Sequence, residues 1–214
     1  MLKRKRGAKE RFYLTRDRRS WVDVSDVAGC AVPDDIFQQL MALKPEARGQ
    51  IKSGGRVIDL PRYVKSYGKA YFFSGMQHEA EPIPACIRPL VEWANGTEWA
   101  KERGWTFNQA LVNWLPDGHH YVGEHADDER PLDVRDECTP VLGISWGAER
   151  MLRLRPMKGK EGTSVDLRLP SGTLYVMGGR TQRTHKHQVP KIGGKKGLGT
   201  GPRVSVTLRC FKKN

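Results

Sequence analysis

Cysteine is scarce. Cys30, Cys86, Cys138 and Cys210 are the only four in 214 residues, widely scattered, with no Cys-x-x-Cys pair. That excludes a disulfide framework and a zinc site built of cysteines, and the thiols read as reduced ones in an intracellular protein. Long hydrophobic runs are missing too. No apolar stretch approaches the ~18 residues of a membrane span, mean hydropathy is −0.61, and the basic N-terminus lacks the apolar segment of a secretory signal. No internal repeat is present, which removes solenoids and propellers. Acids are the scarce sign of charge: 24 Asp and Glu stand against 37 Lys and Arg, a net +13. Such an excess implies an acidic partner, and nucleic acid is the commonest. Aromatics are plentiful. Six each of Trp, Tyr and Phe, within a hydrophobic content of 38%, are enough to bury a core in one large or two small domains.

Residues 1–20 hold nine basic side chains against Glu10 and Asp17, more than half of the net charge. This stretch is too charged to pack and is expected to be a flexible arm, lying along phosphates, serving as a nuclear address, or merely solvated. Trp21 to Val27 alternates like a strand. Pro33-Asp34-Asp35 opens an amphipathic helix over Ile36–Leu43, stopped before Pro45. Lys52-Ser53-Gly54-Gly55-Arg56 reads as a basic hairpin tip, since Gly-Gly permits positive φ. Val57–Leu60 follows as a strand ending at Pro61-Arg62. Tyr67–Gly75 is an aromatic-rich strand that puts Tyr71 and Phe73 on one side and Phe72 on the other. Such a ring pair serves either core packing or the grip on a flipped base. Pro84–Trp99 has helical spacing, with Trp93 and Trp99 read as packing residues.

From Trp105 the texture changes to short strands set off by Gly, Pro and Asp: Phe107–Trp114, Val141–Trp146, Met151–Leu154, Val165–Leu169, Leu174–Met177, His187–Val189 and Val204–Arg209. Strands of this length and spacing predict an all-β sandwich or jelly roll. The division expected is an arm over 1–20, an N-terminal extension over 21–104 and a β core over 105–214.

Glu124-His125-Ala126-Asp127-Asp128-Glu129 carries the chemistry. Two strand residues at an offset of two share a face, so His125 and Asp127 can grip one ion. They would supply two legs of the two-histidine, one-carboxylate triad that holds non-haem Fe(II) with positions left open. His185 and His187 are the candidates for a third leg, about sixty residues on, and a jelly roll returns one such strand beside another. On the last strand Arg203, Ser205, Thr207 and Arg209 share one face, with Val204, Val206 and Leu208 on the other. Buried guanidinium needs an anion, and its fork suits a carboxylate. A dicarboxylate would fit both.

Asn113, His125-x-Asp127-Asp128-Glu129, Ser145-x-Gly147-x-x-Arg150, Gly172-x-Leu174-x-x-Met177, Thr181-Gln182, His187-x-Val189-Pro190 and Arg203-x-x-x-Thr207-x-Arg209 together resemble the AlkB family of Fe(II)/2-oxoglutarate dioxygenases. The resemblance runs from about Arg56 to the C-terminus and is greatest to the branch of AlkB homologues 2 and 3 and their bacterial relatives. It implies an α+β, mainly β fold: a double-stranded β-helix (jelly-roll) core with N-terminal helices and a base-recognition lid. It implies His125, Asp127 and His187 as catalytic ligands of Fe(II), with His185 a neighbour. Arg203 would pair with the distal carboxylate of 2-oxoglutarate, Arg209 with the end that chelates iron, and Asn113 would add a hydrogen bond. Tyr71 and Phe73 would stack on a flipped base, with Asp128 and Glu129 near its exocyclic amine.

The activity implied is oxidative demethylation of bases such as 1-methyladenine and 3-methylcytosine in DNA, consuming O2 and 2-oxoglutarate and releasing formaldehyde, succinate and CO2. RNA demethylation, another 2-oxoglutarate hydroxylation, or a nucleic-acid-binding module with impaired turnover are the alternatives. The partner implied is methylated nucleic acid, single-stranded or duplex, with no membrane. The protein is expected to be monomeric, and nuclear if eukaryotic or cytoplasmic if bacterial. Leu115 stands where the family's Asn-x-Tyr would place a tyrosine, so one hydrogen bond to 2-oxoglutarate is lost or supplied by Tyr121 or Tyr175. Ser205 replaces the usual Asn of Arg-x-Asn-x-Thr. The Lys/Gly hairpin tip lacks a bulky finger, suiting it to phosphates rather than to wedging a duplex.

Overall fold

Alternation and turn glycines cut the N-terminal half into short elements. In the computed structural model, which describes residues 9–27, 32–73, 76–128 and 140–211 (only the backbone at 53 and 71–73), β1 (Glu10–Tyr13) pairs antiparallel with β2 (Ser20–Asp26), Arg11 opposite Asp23. After α1 (Ile36–Ala42), β3 (Gln50–Ser53) and β4 (Arg56–Asp59) form the expected hairpin. Its tip is Gly54-Gly55 at φ 55° and 76°, a region costly to residues with a Cβ. β5 (Tyr63–Tyr67) stops at Gly68, φ 87°, where a Cβ would lie 2.4 Å from the Asn108 carbonyl oxygen. The single strand expected over Tyr67–Gly75 is therefore interrupted, and β6 (Tyr71–Phe73) pairs instead with β7 (Met76–His78). β8 (Ala80–Glu81) runs parallel to β5. The helix expected over Pro84–Trp99 is two, α2 (Arg88–Gly96) and α3 (Glu98–Arg103). Thr97 between them is extended at ψ 142°, and Gly104 ends α3 in the left-handed conformation.

The second half holds β9 (Gln109–Leu115), β10 (Val122–His125), β11 (Val141–Gly147), β12 (Arg150–Pro156), β13 (Val165–Leu169), β14 (Thr173–Gly179), α4 (Thr181–Thr184), β15 (His185–Val189), α5 (Gly194–Leu198) and β16 (Arg203–Arg209). The seven strands expected here all form. β10 is an addition, its residues too polar to announce a strand. An eight-stranded sheet in the order β1-β2-β14-β11-β16-β9-β5-β8 faces a four-stranded sheet, β10-β15-β12-β13. This is the mainly β jelly-roll architecture expected.

Two cores explain why β9 and β16 are buried along their whole length. One face of the large sheet, through Val112, Trp114, Ile144, Val204, Val206 and Leu208, packs on α1, α2 and α3. Trp114 is fully buried and its indole N–H donates to the Leu40 carbonyl at 2.8 Å, fastening α1 to β9. The opposite face, through Val22, Val24, Leu115 and Met177, packs on Leu152, Leu154 and Val189 of the small sheet. The site lies in this second layer.

Two expected boundaries are corrected by strand pairing. The arm through Ser20 gives way to structure at Glu10: β1 is held by β2, and Phe12 packs into the inter-sheet core. Apolar Phe12 and Leu14, diluted among charges in the sequence, are what anchor it. The division at 104/105 is also crossed, since β2 pairs with β14 and β5 with β9 in one continuous sheet.

Candidate active site

β10 and β15 are antiparallel neighbours with His125 opposite His187, so cross-strand pairing brings together imidazoles sixty-two positions apart. Their ring centroids are 4.3 Å apart. Asp127 is not on the strand, as its offset from His125 implied; β10 ends at His125 and the chain carries Asp127 inward from there. Its backbone N–H donates to Gln182 Oε1 at 2.9 Å, which fixes that inward turn. His125 Nε2 lies 3.6 Å from Asp127 Oδ1 and His187 Nε2 3.7 Å from Oδ2. One donor atom from each of the three lies within 4.8 Å of the others.

The protonation states suit a cation. Burial pushes the His187 ring down to about 3, with His125 adding to the effect. Burial likewise lowers His125. Burial alone would raise the Asp127 carboxyl, but the Arg209 guanidinium and then the imidazoles hold it below its ordinary value. The set at neutral pH is two neutral imidazoles and a carboxylate, the states in which these side chains bind metal. His125 Nδ1 meets the Gly123 carbonyl at 2.9 Å, which leaves Nε2 as the lone-pair nitrogen facing Asp127. Asp127 Oδ2 is buried and lacks a hydrogen-bond partner among the described residues, as a ligand oxygen for an ion would. The residues fit Fe(II).

Beside this cluster the same cavity is lined by Arg62, Asn113, Tyr175, Arg203, Thr207 and Arg209. Alternation on β16 turns Arg203, Ser205, Thr207 and Arg209 into the inter-sheet layer, as expected, while Val204, Val206 and Leu208 enter the helix-side core. Arg203 is 1% exposed, and its Nε and Nη1 have no hydrogen-bond partner among the described residues. Burial lowers the guanidinium to about 10, so it stays charged at neutral pH and calls for an anion. Arg209 Nη2 donates to Asp127 Oδ1, giving this arginine a hold on the cluster's carboxylate.

Asn113 Oδ1 accepts from Arg62 Nε at 2.8 Å. Arg62, buried at 7% exposure, went unread in the sequence, where Pro61-Arg62 marked only a strand end; it also bears electrostatically on His125 and Asp127. A lone arginine after a proline gives no signal until β5 lies beside β9. Leu115 is buried in the inter-sheet core, while Tyr175 lines the cavity beside Arg203 and is the available hydroxyl; Tyr121 is not in the lining. His185 points elsewhere, toward Thr184 Oγ1 at 2.8 Å and the Thr163 carbonyl at 3.2 Å.

Of the residues expected to meet a base, only Asp128 has a described side chain. Asp128 is exposed and outside the cavity lining. The side chains of Tyr71 and Phe73, and all of Glu129, Cys30 and Cys138, lie outside the described residues. Cys86 is a free cysteine, half-buried.

An ion-binding triad beside a buried, unpartnered arginine, held between the sheets of a jelly roll, is the arrangement of an iron oxygenase that takes an acidic co-substrate. The family model described as "2OG-Fe(II) oxygenase superfamily" matches residues 34–209, and the chain belongs to that superfamily as a member of its AlkB family. Bovine "DNA oxidative demethylase ALKBH2" is 32% identical over 202 residues, covering 87% of this chain and 67% of its own. The human protein of that name is 32% identical over 193 residues, covering 85% and 69%. Bovine "Alpha-ketoglutarate-dependent dioxygenase alkB homolog 3" is 29% identical over 184 residues, covering 82% and 60%. Among solved structures, that of OsALKBH1 superposes with a TM-score of 0.54 at 18% identity, covering 97% of this chain and 100% of its own, a likeness of fold. The protein is a dioxygenase using Fe(II), 2-oxoglutarate and O2. Among the described residues no helix is long and apolar enough to cross a membrane.

Proposed function

We propose that the protein oxidatively demethylates N-alkylated bases of the 1-methyladenine and 3-methylcytosine type in DNA. The observation that carries this is the pairing of His125, Asp127 and His187 with the unpartnered Arg203 in one cavity. The relatives named as DNA oxidative demethylases and the net charge of +13 support DNA as the substrate class.

In this reading His125, Asp127 and His187 hold Fe(II), and Arg203 takes the distal carboxylate of 2-oxoglutarate with help from Tyr175. Fe(II) held there would supply, with O2 and 2-oxoglutarate, the oxidation of an N-methyl group to hydroxymethyl, the co-substrate leaving as succinate and CO2. The hydroxymethyl base then loses formaldehyde and recovers its ring nitrogen. Gln182 and Arg209 aim Asp127, and the Gly123 carbonyl sets the His125 tautomer. Arg62 orients Asn113. Burial between two sheets keeps bulk water from the reacting groups.

Tyr71 and Phe73 would clasp the base, with Asp128 and Glu129 near its amine. The exposed hairpin tip at Lys52–Arg56 offers cations to the phosphates but no wedge, which favours single strands over intact duplex.

The deciding measurement is mass spectrometry of matched methylated DNA and RNA oligonucleotides after incubation with Fe(II) and 2-oxoglutarate. DNA should lose methyl groups with stoichiometric formaldehyde and succinate. Loss from RNA alone would move the substrate, and undiminished turnover in His187→Ala or Asp127→Ala would remove the metal assignment.

A further inference from the structure

A second cavity, of about 440 Å³, opens at the other end of the large sheet. It sits where the β1-β2-β14 edge meets α3. Strand alternation puts it on the far side from the iron site. Tyr175 and Met177 of β14 enter the inter-sheet layer, whereas Val176 and Gly178 turn outward to this cavity. Trp21, Trp99 and Trp105 form its aromatic wall. Trp21 lies flat across Gly178, where a Cβ would come within 2.1 Å of the indole, so the glycine makes room for the ring. Trp99 and Trp105 meet edge to face at 5.9 Å.

Cations line the same walls. The Arg11 guanidinium sits 3.9 Å over the Trp21 ring and Arg103 5.9 Å from that of Trp105. Lys9, Arg18 and Arg19 complete five positive side chains against Asp23 and Glu102. Asp23 is already engaged, by Lys9 at 2.9 Å and by Arg11 at 2.6 Å. The sequence leading into Lys9 adds Lys3, Arg4, Lys5 and Arg6 with no acid.

We propose that this cavity is a second nucleic-acid contact, binding single-stranded DNA or RNA irrespective of methylation. Trp21 is already held between Gly178 and Arg11, so the half-buried rings of Trp99 and Trp105 are the ones that would meet bases, with the exposed Arg18 and Arg19 taking the phosphates. Phosphate alone would need no aromatic wall, and an apolar partner would need no ring of cations. Charge and stacking together select a polymer that carries both. One strand could then be held at two points of the molecule, with the reacting base at one and undamaged nucleotides at the other.

The proposal does not rest on the demethylase reading, and its test uses unmodified strands without iron. Fluorescence anisotropy of the full chain would follow an oligothymidylate of roughly 20 nucleotides, longer than one stacking site of this kind covers, with polyglutamate as a polyanion that cannot stack. In Arg18→Gln/Arg19→Gln, two exposed positions, affinity for the oligothymidylate should fall about tenfold while the melting temperature holds. The slope of log K against log salt should shrink by about 0.7 for each arginine that meets a phosphate. Wild-type affinity and salt slope in the arginine variant would overturn the proposal. So would stronger binding of polyglutamate than of the oligonucleotide.

Discussion

Arg203 is a side chain whose functional need and whose contribution to stability oppose each other. A buried guanidinium with Nε and Nη1 unpartnered costs folding energy that only an anion repays. Arg203→Met should therefore raise the melting temperature of the protein without co-substrate, while raising the KM for 2-oxoglutarate about 10- to 100-fold, the worth of hydrogen bonds to a charged group. Scanning calorimetry and succinate formation measure the two sides. A variant that is both less stable and unaltered in KM would mean that Arg203 is structural. Asp127 shows the complementary case, a carboxylate held charged in the interior by Arg209.

Strand pairing explains what the sequence could and could not reveal. Gly143 on β11 sits opposite Tyr175 on β14, and a Cβ at Gly143 would lie 2.0 Å from the Tyr175 ring. Gly143→Ala should cost about 1–3 kcal/mol by overpacking, a fall of about 2–4 °C per kcal/mol for a chain of this size, and should weaken 2-oxoglutarate binding by displacing Tyr175. An unchanged melting curve would show that the ring moves freely.

The β1–β2 pair should make stability depend on pH. Burial raises the Asp23 carboxyl, but hydrogen bonds from Arg11 and Lys9 outweigh it and leave it below 3.8. The stabilisation is then fully present above that value and is lost as pH falls through the folded-state pKa. Melting temperatures between neutral pH and pH ~3 should fall more steeply for the wild type than for Asp23→Asn. Periodicity made β16 and its two faces legible, and His-x-Asp with His187 made the metal cluster legible. Arg62, β1 and the hold of Gln182 on Asp127 escaped because they depend on partners 51, 12 and 55 residues away. No local pattern encodes such distances.

At the scale of the whole molecule, the N-terminal cations and the strand that follows them should separate into two functions. Residues 2–8 bring four positive charges and no negative one. Residues 9–13 bring the edge strand, with Phe12 in the core and two cations on Asp23. Deleting 2–8 should leave the melting temperature unchanged and weaken single-strand binding, lowering the salt slope by up to ~2.8, about 0.7 for each phosphate no longer neutralised. Deleting 2–13 should also leave Asp23 buried without its cations and uncover the edge of β2. Asp23 is buried but Lys9 and Arg11 are partly exposed, so the loss falls short of the about 3–5 kcal/mol of a fully buried pair, and a fall of a few degrees is expected. Calorimetry and salt-dependent anisotropy on the two truncations separate the effects. If the shorter deletion lowers the melting temperature as far as the longer one, the first eight residues support the fold. If it leaves the salt slope untouched, the nucleic acid is held by the folded surface alone.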